Sequence, residues 1–231
     1  LEVLSDISVT DIGLKMRFAY VGDKKISITE YRDEVGITCG EGHPVIAKRG
    51  TQKAHHFAHK ASCSCSCSDG MTDWHIWWQD RAKKEYQEVR MKNDIGTLHI
   101  ADTASNNYVI EYQHSPMDIH TMSERESFYT GLGYHLVWVF DTSSWEISKI
   151  KRTDTEIVFR MKRGSKFPML GSYTGNVTKI LDFNKSEVVV ITKQSGVTLY
   201  GNILTLEEFD NKYLTGCMCT DNDYRPFHHS V

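Results

Sequence analysis

The chain reads as a mixed α+β / α/β protein, with a central mixed sheet flanked by helices, a Cys/His-rich part before it and a β-rich part after it. Three observations predict this. From residue 73 to 141, helical periodicity alternates with short β-branched and aromatic runs in the order α-β-β-α-β. Before that stretch, Cys39 to Cys67 crowds eight Cys and His residues among few large apolar ones. After Trp145, short β runs follow one another. The matching divisions are 1–69 (strands and the Cys/His segment), 70–150 (the core) and 151–231 (the β-rich part with a polar tail).

The elements follow in order. Lys15 to Val21 and Lys25 to Tyr31 read as strands joined through Gly22-Asp23. Ser68 to Met71 is a joint. Asp73 to Val89 has helical character, because Trp74, Trp77, Trp78 and Arg81 fall at i, i+3, i+4 and i+7, and Thr72 or Asp73 can cap it. There is space for one more strand near Val89 to Lys92. Two strands meet through Ser105-Asn106-Asn107, and a second helix from about Met117 to Leu132 is stopped by Gly131 and Gly133. Tyr134 to Phe140 is strongly β and ends at Asp141. Ile157, Phe159 and Met161 alternate with Val158, Arg160 and Lys162, an apolar face backed by a basic one. Asn176–Asp182, Glu187–Thr192 and Val197–Tyr200 are further strands, and Thr205-Leu-Glu-Glu208 is a capping box opening a helix through Tyr213.

The 231 residues suffice for one large domain or two modest ones. No run of about 18 apolar residues offers a membrane span. The first residues, Leu1 to Asp6, lack a basic stretch followed by an apolar core, so the expected location is intracellular. A net charge of −3 argues against bulk electrostatic binding of nucleic acid but leaves room for a local basic groove or a charge-neutralising metal. Among the six cysteines, Cys63, Cys65 and Cys67 alternate with serines too closely to pair with each other. Their histidine neighbours favour metal over a disulfide framework.

The chemistry is concentrated in His99-Ile-Ala-Asp102 and Ile110-Glu111-Tyr-Gln113-His-Ser115. Glu111 and Gln113 share a strand face, and the hairpin brings Asp102 beside them. Two carboxylates converging from neighbouring strands make a hard oxygen site for Mg²⁺ or Mn²⁺, the machinery of phosphodiester hydrolysis. Asp102, Glu111 and the backbone carbonyl of Tyr112 are the candidate ligands, with Gln113 orienting water or phosphate. Gln is neither cation nor base, so His75 on the preceding helix is the favoured auxiliary group. His99 needs a bend to share the face of Asp102. Arg125 and Tyr129, four apart on the second helix, can contact phosphate and brace the acids; Ser115 joins them as a candidate DNA contact. Arg160, Lys162 and Arg163, with Lys151, Arg152 and Lys166, offer a basic nucleic-acid platform. In the Cys/His block, four of Cys39, His43, His59, Cys63, Cys65 and Cys67 would hold a structural Zn²⁺.

Taken in order, Cys39, Gly50-Thr-Gln-Lys-Ala-His-His56-Phe-Ala-His59, Trp74-His75, His99-Ile-Ala-Asp102, Ile110-Glu-Tyr-Gln113-His-Ser115 and Glu124-Arg125-Glu126…Tyr129 resemble the competence protein CoiA-like family. The resemblance covers about residues 14 to 141. It implies a Cys/His-rich N-terminal part and a restriction-endonuclease-like core of the PD-(D/E)xK type. Asp102 then matches the acid of the first motif, Glu111 and Gln113 match the E-x-K positions with Gln for Lys, and His75 matches the histidine of the preceding helix. The C-x₂-C pair of bacterial members is here Cys39-x₃-His43. The expected function is metal-dependent DNA hydrolysis, for which a homodimer would suit cutting of both strands. The alternatives are a catalytically degenerate DNA-binding module and a zinc-stapled protein-interaction module.

Overall fold

A computed structural model describes residues 16–51, 55–60, 71–162, 175–183 and 185–218. The chain forms two compact units, Leu1–Thr72 and Asp73–Val231.

The first unit contains two antiparallel pairs, β1 (Phe18–Val21) with β2 (Lys24–Ser27) and β3 (Val45–Lys48) with β4 (His56–His59). The Gly22-Asp23 turn read from the sequence joins the first pair, with Gly22 at φ 59° in the left-handed region open to glycine. Met16, Ala19, Ile26, Ile37, Cys39, Val45 and Phe57 form its small core.

The second unit begins with a helix shorter than expected: α1 covers Asp73–Gln79, not Asp73 to Val89. The Gln87 amide donates to the carbonyls of Gln79 (2.9 Å) and Ala82 (2.6 Å), satisfying groups that a longer helix would have used itself. Lys83 N–H bonds to the Cys217 carbonyl at 2.8 Å, and the chain passes into β5 (Gln87–Lys92). There follow β6 (Leu98–Ala104), β7 (Tyr108–Gln113), α2 (Ile119–Gly131) and β8 (His135–Asp141). Asp118 caps α2, accepting from the backbone of His120 and Thr121.

The strands after residue 145 are β9 (Ile147–Arg152), β10 (Glu156–Met161), β11 (Val177–Asp182), β12 (Glu187–Ser195) and β13 (Thr198–Thr205). Helix α3 (Leu206–Tyr213) opens on the anticipated Thr205–Glu208 capping box. All these strands join one nine-stranded sheet in the order β5-β6-β7-β8-β11-β12-β13-β10-β9. The sheet is parallel at β7-β8 and β8-β11 and antiparallel elsewhere. The boundary placed at residue 150 therefore does not divide the sheet, because β11 lies directly beside β8.

Both faces of the centre are covered, so β8 reads as a nearly continuous apolar run. On one face Trp74 and Trp78 of α1 and Phe209 and Tyr213 of α3 pack on Ile110, Tyr112, Val137, Val139 and Ile180. On the other, Met122, Phe128 and Tyr129 of α2 join Val109, Leu136, Trp138 and Phe140. At Gly201 of β13 an added Cβ would meet Val189 Cγ1 and come within 2.8 Å of the Val190 carbonyl oxygen, so glycine permits close strand contact there. Among the described residues no helix is long and apolar enough to cross a membrane.

Candidate active site

The sheet forks at the two acids. β6 and β7 pair only at Thr103↔Ile110 and Ala104↔Val109. Continuing that register sets Asp102 opposite Glu111, but there the ladder stops. β6 continues beside β5, through Ala101↔Val89 and His99↔Met91. β7 continues beside β8, through Glu111↔Trp138 and Gln113↔Phe140. At the split, Tyr112 N–H donates to Asp102 Oδ2 at 2.8 Å, so a side-chain oxygen replaces the ladder acceptor. The opposite carboxylate oxygen, Asp102 Oδ1, lies 3.0 Å from His75 Nε2.

Helix α1 aims that histidine. The indole N–H groups of Trp74 and Trp78 both donate to Asp182 Oδ2, at 2.7 and 2.9 Å, tying the helix to the end of β11. Trp78 stacks on Tyr112, with centroids 5.8 Å apart, and Gln79 donates to the Asp102 carbonyl at 3.4 Å. His75 thus reaches Asp102 from a helix held at both ends.

Glu111 is 3% exposed and is held from the other side of the sheet by α2. Tyr129 O–H donates to its Oε1 at 2.8 Å, and Arg125 Nη1 meets its Oε2. The same helix makes a second charged contact, since Glu126 Oε1 lies 3.2 Å from Nζ of the buried Lys179. Glu111, Trp138 and Lys179 are cross-strand partners in one row, so α2 presents Arg125 to an acid and Glu126 to a base of that row. Burial pushes the Lys179 amine down, against the pull of Glu126.

The electrostatics separate the two acids. Burial raises the Asp102 carboxyl, but His75, the Tyr112 N–H and Arg125 outweigh it and hold the group below its ordinary value. Burial pushes Glu111 up to about 7, helped by the Asp102 charge and opposed by Arg125 and Tyr129. For His75, burial works downward, yet the charge and hydrogen bond of Asp102 raise it, with smaller contributions from Glu88 and Glu111. A buried carboxylate pushed up this far is a candidate functional group.

Two carboxylates are hard oxygen donors of the kind that suit a cation keeping several waters, such as Mg²⁺ or Mn²⁺. All four carboxylate oxygens already face protein donors, and Arg125 must yield for a cation to reach Glu111 Oε2. Among the described residues no group of three or more His, Cys, Asp and Glu side chains converges as a metal cage.

The other anticipated residues are distributed unevenly. Gln113 turns its amide to the Ser115 carbonyl, its own loop, while its neighbour His114 bonds to Asp141 at 2.7 Å. His99 packs on the rings of Phe128 and Tyr129, 4.5 and 6.1 Å away by centroid, so it lies toward α2 and not with His75. Arg160 is exposed on β10, and Lys162 pairs with Glu146 at 2.5 Å. In the first unit, Cys39 Sγ lies 3.7 Å from His43 Nδ1 and accepts from His43 N–H at 3.3 Å. The His43 and His59 rings are 6.4 Å apart. Cys63, Cys65, Cys67, Arg163 and Lys166 lie outside the described residues.

Sequence reasoning missed Glu88. It occupies the β5 position opposite Asp102 in register, its charge raises His75, and its φ of 44° is left-handed. Such backbone in a non-glycine residue concentrates at functional sites. The helical pattern read from Asp73 to Val89 takes in Glu88 near its end, where an acid gives no local signal of this.

Residues 82–211, more than half of the chain, match the competence protein CoiA nuclease-like domain. The chain belongs to the CoiA family. No curated protein and no solved structure matches it. The CoiA nuclease-like match contains Asp102, Glu111, Gln113, Arg125 and Tyr129, begins after His75, and runs on through β9 to β13 into α3. The strands beyond residue 150 thus fall in the same family domain as the two acids.

Proposed function

We propose that this CoiA-family chain is a divalent-metal-dependent nuclease that hydrolyses DNA phosphodiester bonds on a PD-(D/E)xK-type core. The observation that carries the reading is the fork of the sheet, which sets Asp102 opposite Glu111 inside the matched nuclease-like domain. Asp102, Glu111 and the Tyr112 carbonyl would hold Mg²⁺ or Mn²⁺. That ion supplies an activated water and neutralises charge on the attacked phosphate. The chain's own residues prepare the site. His75 fixes one carboxylate and Tyr129 the other, while Arg125, once released from Glu111, is a guanidinium within reach of a phosphate. Gln113 is free to exchange its loop contact for water or phosphate. The Cys39–His43 arrangement supports a structural Zn²⁺ completed by His59 and one of Cys63, Cys65 or Cys67. DNA is the proposed partner, and a homodimer would serve cleavage of both strands.

A second reading also has a specific observation behind it. Both carboxylates are fully engaged by protein donors, and Gln stands where the family pattern has Lys. This favours a DNA-binding module that has lost catalysis. Incubation with linear, nicked, branched and single-stranded DNA plus Mg²⁺ or Mn²⁺ separates the two. Cleavage that Glu111→Gln abolishes supports the nuclease. Metal-independent, salt-sensitive binding without cleavage supports the module.

A further inference from the structure

The outer face of the far end of the sheet carries cations that the forked site does not use. Lys151 of β9, Val158 of β10, Tyr200 of β13 and Lys193 of β12 are successive cross-strand partners and share one face. Arg160, two residues beyond Val158, joins them. The alternation along β10 sorts the faces, because Ile157, Phe159 and Met161 are buried while Arg160 is exposed. Lys151 and Lys193 are exposed as well.

These cations differ from their basic neighbours. Arg152 is held by both oxygens of Glu187, and Lys162 by Glu146. Among the described residues, Lys151 and Arg160 have no carboxylate partner. Lys193 lies over the Tyr200 ring instead, its Nζ 5.6 Å from the centroid. Glu156 shares this face but stands at the other end of β10, in register with Asn202.

We propose that this face binds single-stranded nucleic acid, with phosphates on Lys151, Arg160 and Lys193 and a base on Tyr200. Three inter-strand steps separate Lys151 from Lys193, roughly 14 Å at the usual strand spacing, and Tyr200 lies between them. A ring between spaced cations fits a chain that offers anions and aromatic faces in alternation. An acidic peptide offers such faces only where aromatic residues happen to interrupt it, and a duplex keeps them inside its stack. The exposed cation–π contact is worth only about 0.5–1 kcal/mol, so a base can replace Lys193 over the ring while the ammonium turns to a phosphate. This binding goes beyond hydrolysis and does not depend on it.

The test uses the full chain and a fluorescein-labelled oligothymidine in EDTA, read by anisotropy over a salt series, with the same length of duplex alongside. Wild type should bind the single strand more tightly than the duplex. Lys151→Ala/Arg160→Ala/Lys193→Ala should bind at least tenfold more weakly and lower the log–log salt slope by about 2. Tyr200→Ala should lose about tenfold, while Tyr200→Phe, which keeps the ring, retains affinity. A control variant, Lys24→Ala/Lys48→Ala/Lys60→Ala, removes the same charge from the first unit and should bind as wild type. Thermal melts establish that each variant is folded. Equal losses in the two triple variants overturn the proposal, as do an unchanged Tyr200→Ala, a preference for duplex, or no binding by wild type at low salt. Because the chelator suppresses metal-dependent cleavage, failure of the nuclease reading leaves this outcome unaffected.

Discussion

Replacing Glu111 by Gln keeps the shape of the side chain and removes its ionisable proton. In the metal-free protein the Glu111 carboxyl moves from its ordinary 4.5 to about 7, chiefly through burial. Each unit is worth about 1.4 kcal/mol, so the charged form weakens the fold by about 3 kcal/mol. The sign follows from proton counting. Between these two values the native state keeps a proton that the unfolded chain has released, so stability falls as pH rises through the window. The full loss is present above it. Gln has no such step. His75 and Asp102 titrate in both proteins, so the difference between wild type and Glu111→Gln reports Glu111 together with its smaller pull on His75. Urea unfolding in EDTA, followed by tryptophan fluorescence at pH 4.5 and pH 8, measures it. All five tryptophans lie between residues 74 and 145, so the signal belongs to the second unit. Wild type should lose about 3 kcal/mol relative to the variant across this range. A difference that stays constant, or that moves in favour of wild type, refutes the account of Glu111 as an acid raised by burial.

Other outcomes follow from single contacts. His75→Asn removes the group that holds Asp102 Oδ1, and Mg²⁺ affinity by calorimetry or cleavage rate should fall about 10- to 100-fold. The stabilisation from the His75–Asp102 pair is complete below the unfolded histidine value of 6.5 and is lost as pH rises through the raised folded value. His75→Asn should therefore flatten the unfolding profile on that side. Gly201→Ala should destabilise the second unit by about 1–3 kcal/mol in urea, since its Cβ has no space against Val189 and Val190. Cys39→Ser should lower bound zinc, measured by mass spectrometry of the purified protein, if Cys39 and His43 share a metal as proposed.

What the sequence disclosed was what local signals encode. The Thr205–Glu208 capping box, the alternation of Ile157, Phe159 and Met161, and the strand ending at Asp141 depend on neighbours a few residues away. The placing of Asp102 and Glu111 on neighbouring strands and of His75, Arg125 and Tyr129 on flanking helices was also legible, because each element has its own local pattern. The early end of α1 was not, since the groups that terminate it belong to Gln87 and to Cys217, far along the chain. Nor was the single sheet, because nothing in Val177–Asp182 announces that it will lie parallel to β8. Lys179 is buried with Glu126 of α2 beside its ammonium, a pairing that no local signal in Val177–Asp182 carries. Each miss has a partner distant in sequence.

Asp102 spends one of its two oxygens on the backbone of Tyr112. An amide at this position would have to turn its oxygen toward that N–H, and its nitrogen would then confront His75. A substitution at 102 therefore perturbs assembly and chemistry together, and loss of activity there would not distinguish them. Glu111 receives only side-chain donors, so its replacement leaves the main-chain seam of the fork intact. On the proposed nuclease reading, a silent protein made to capture uncut substrate is best built at 111.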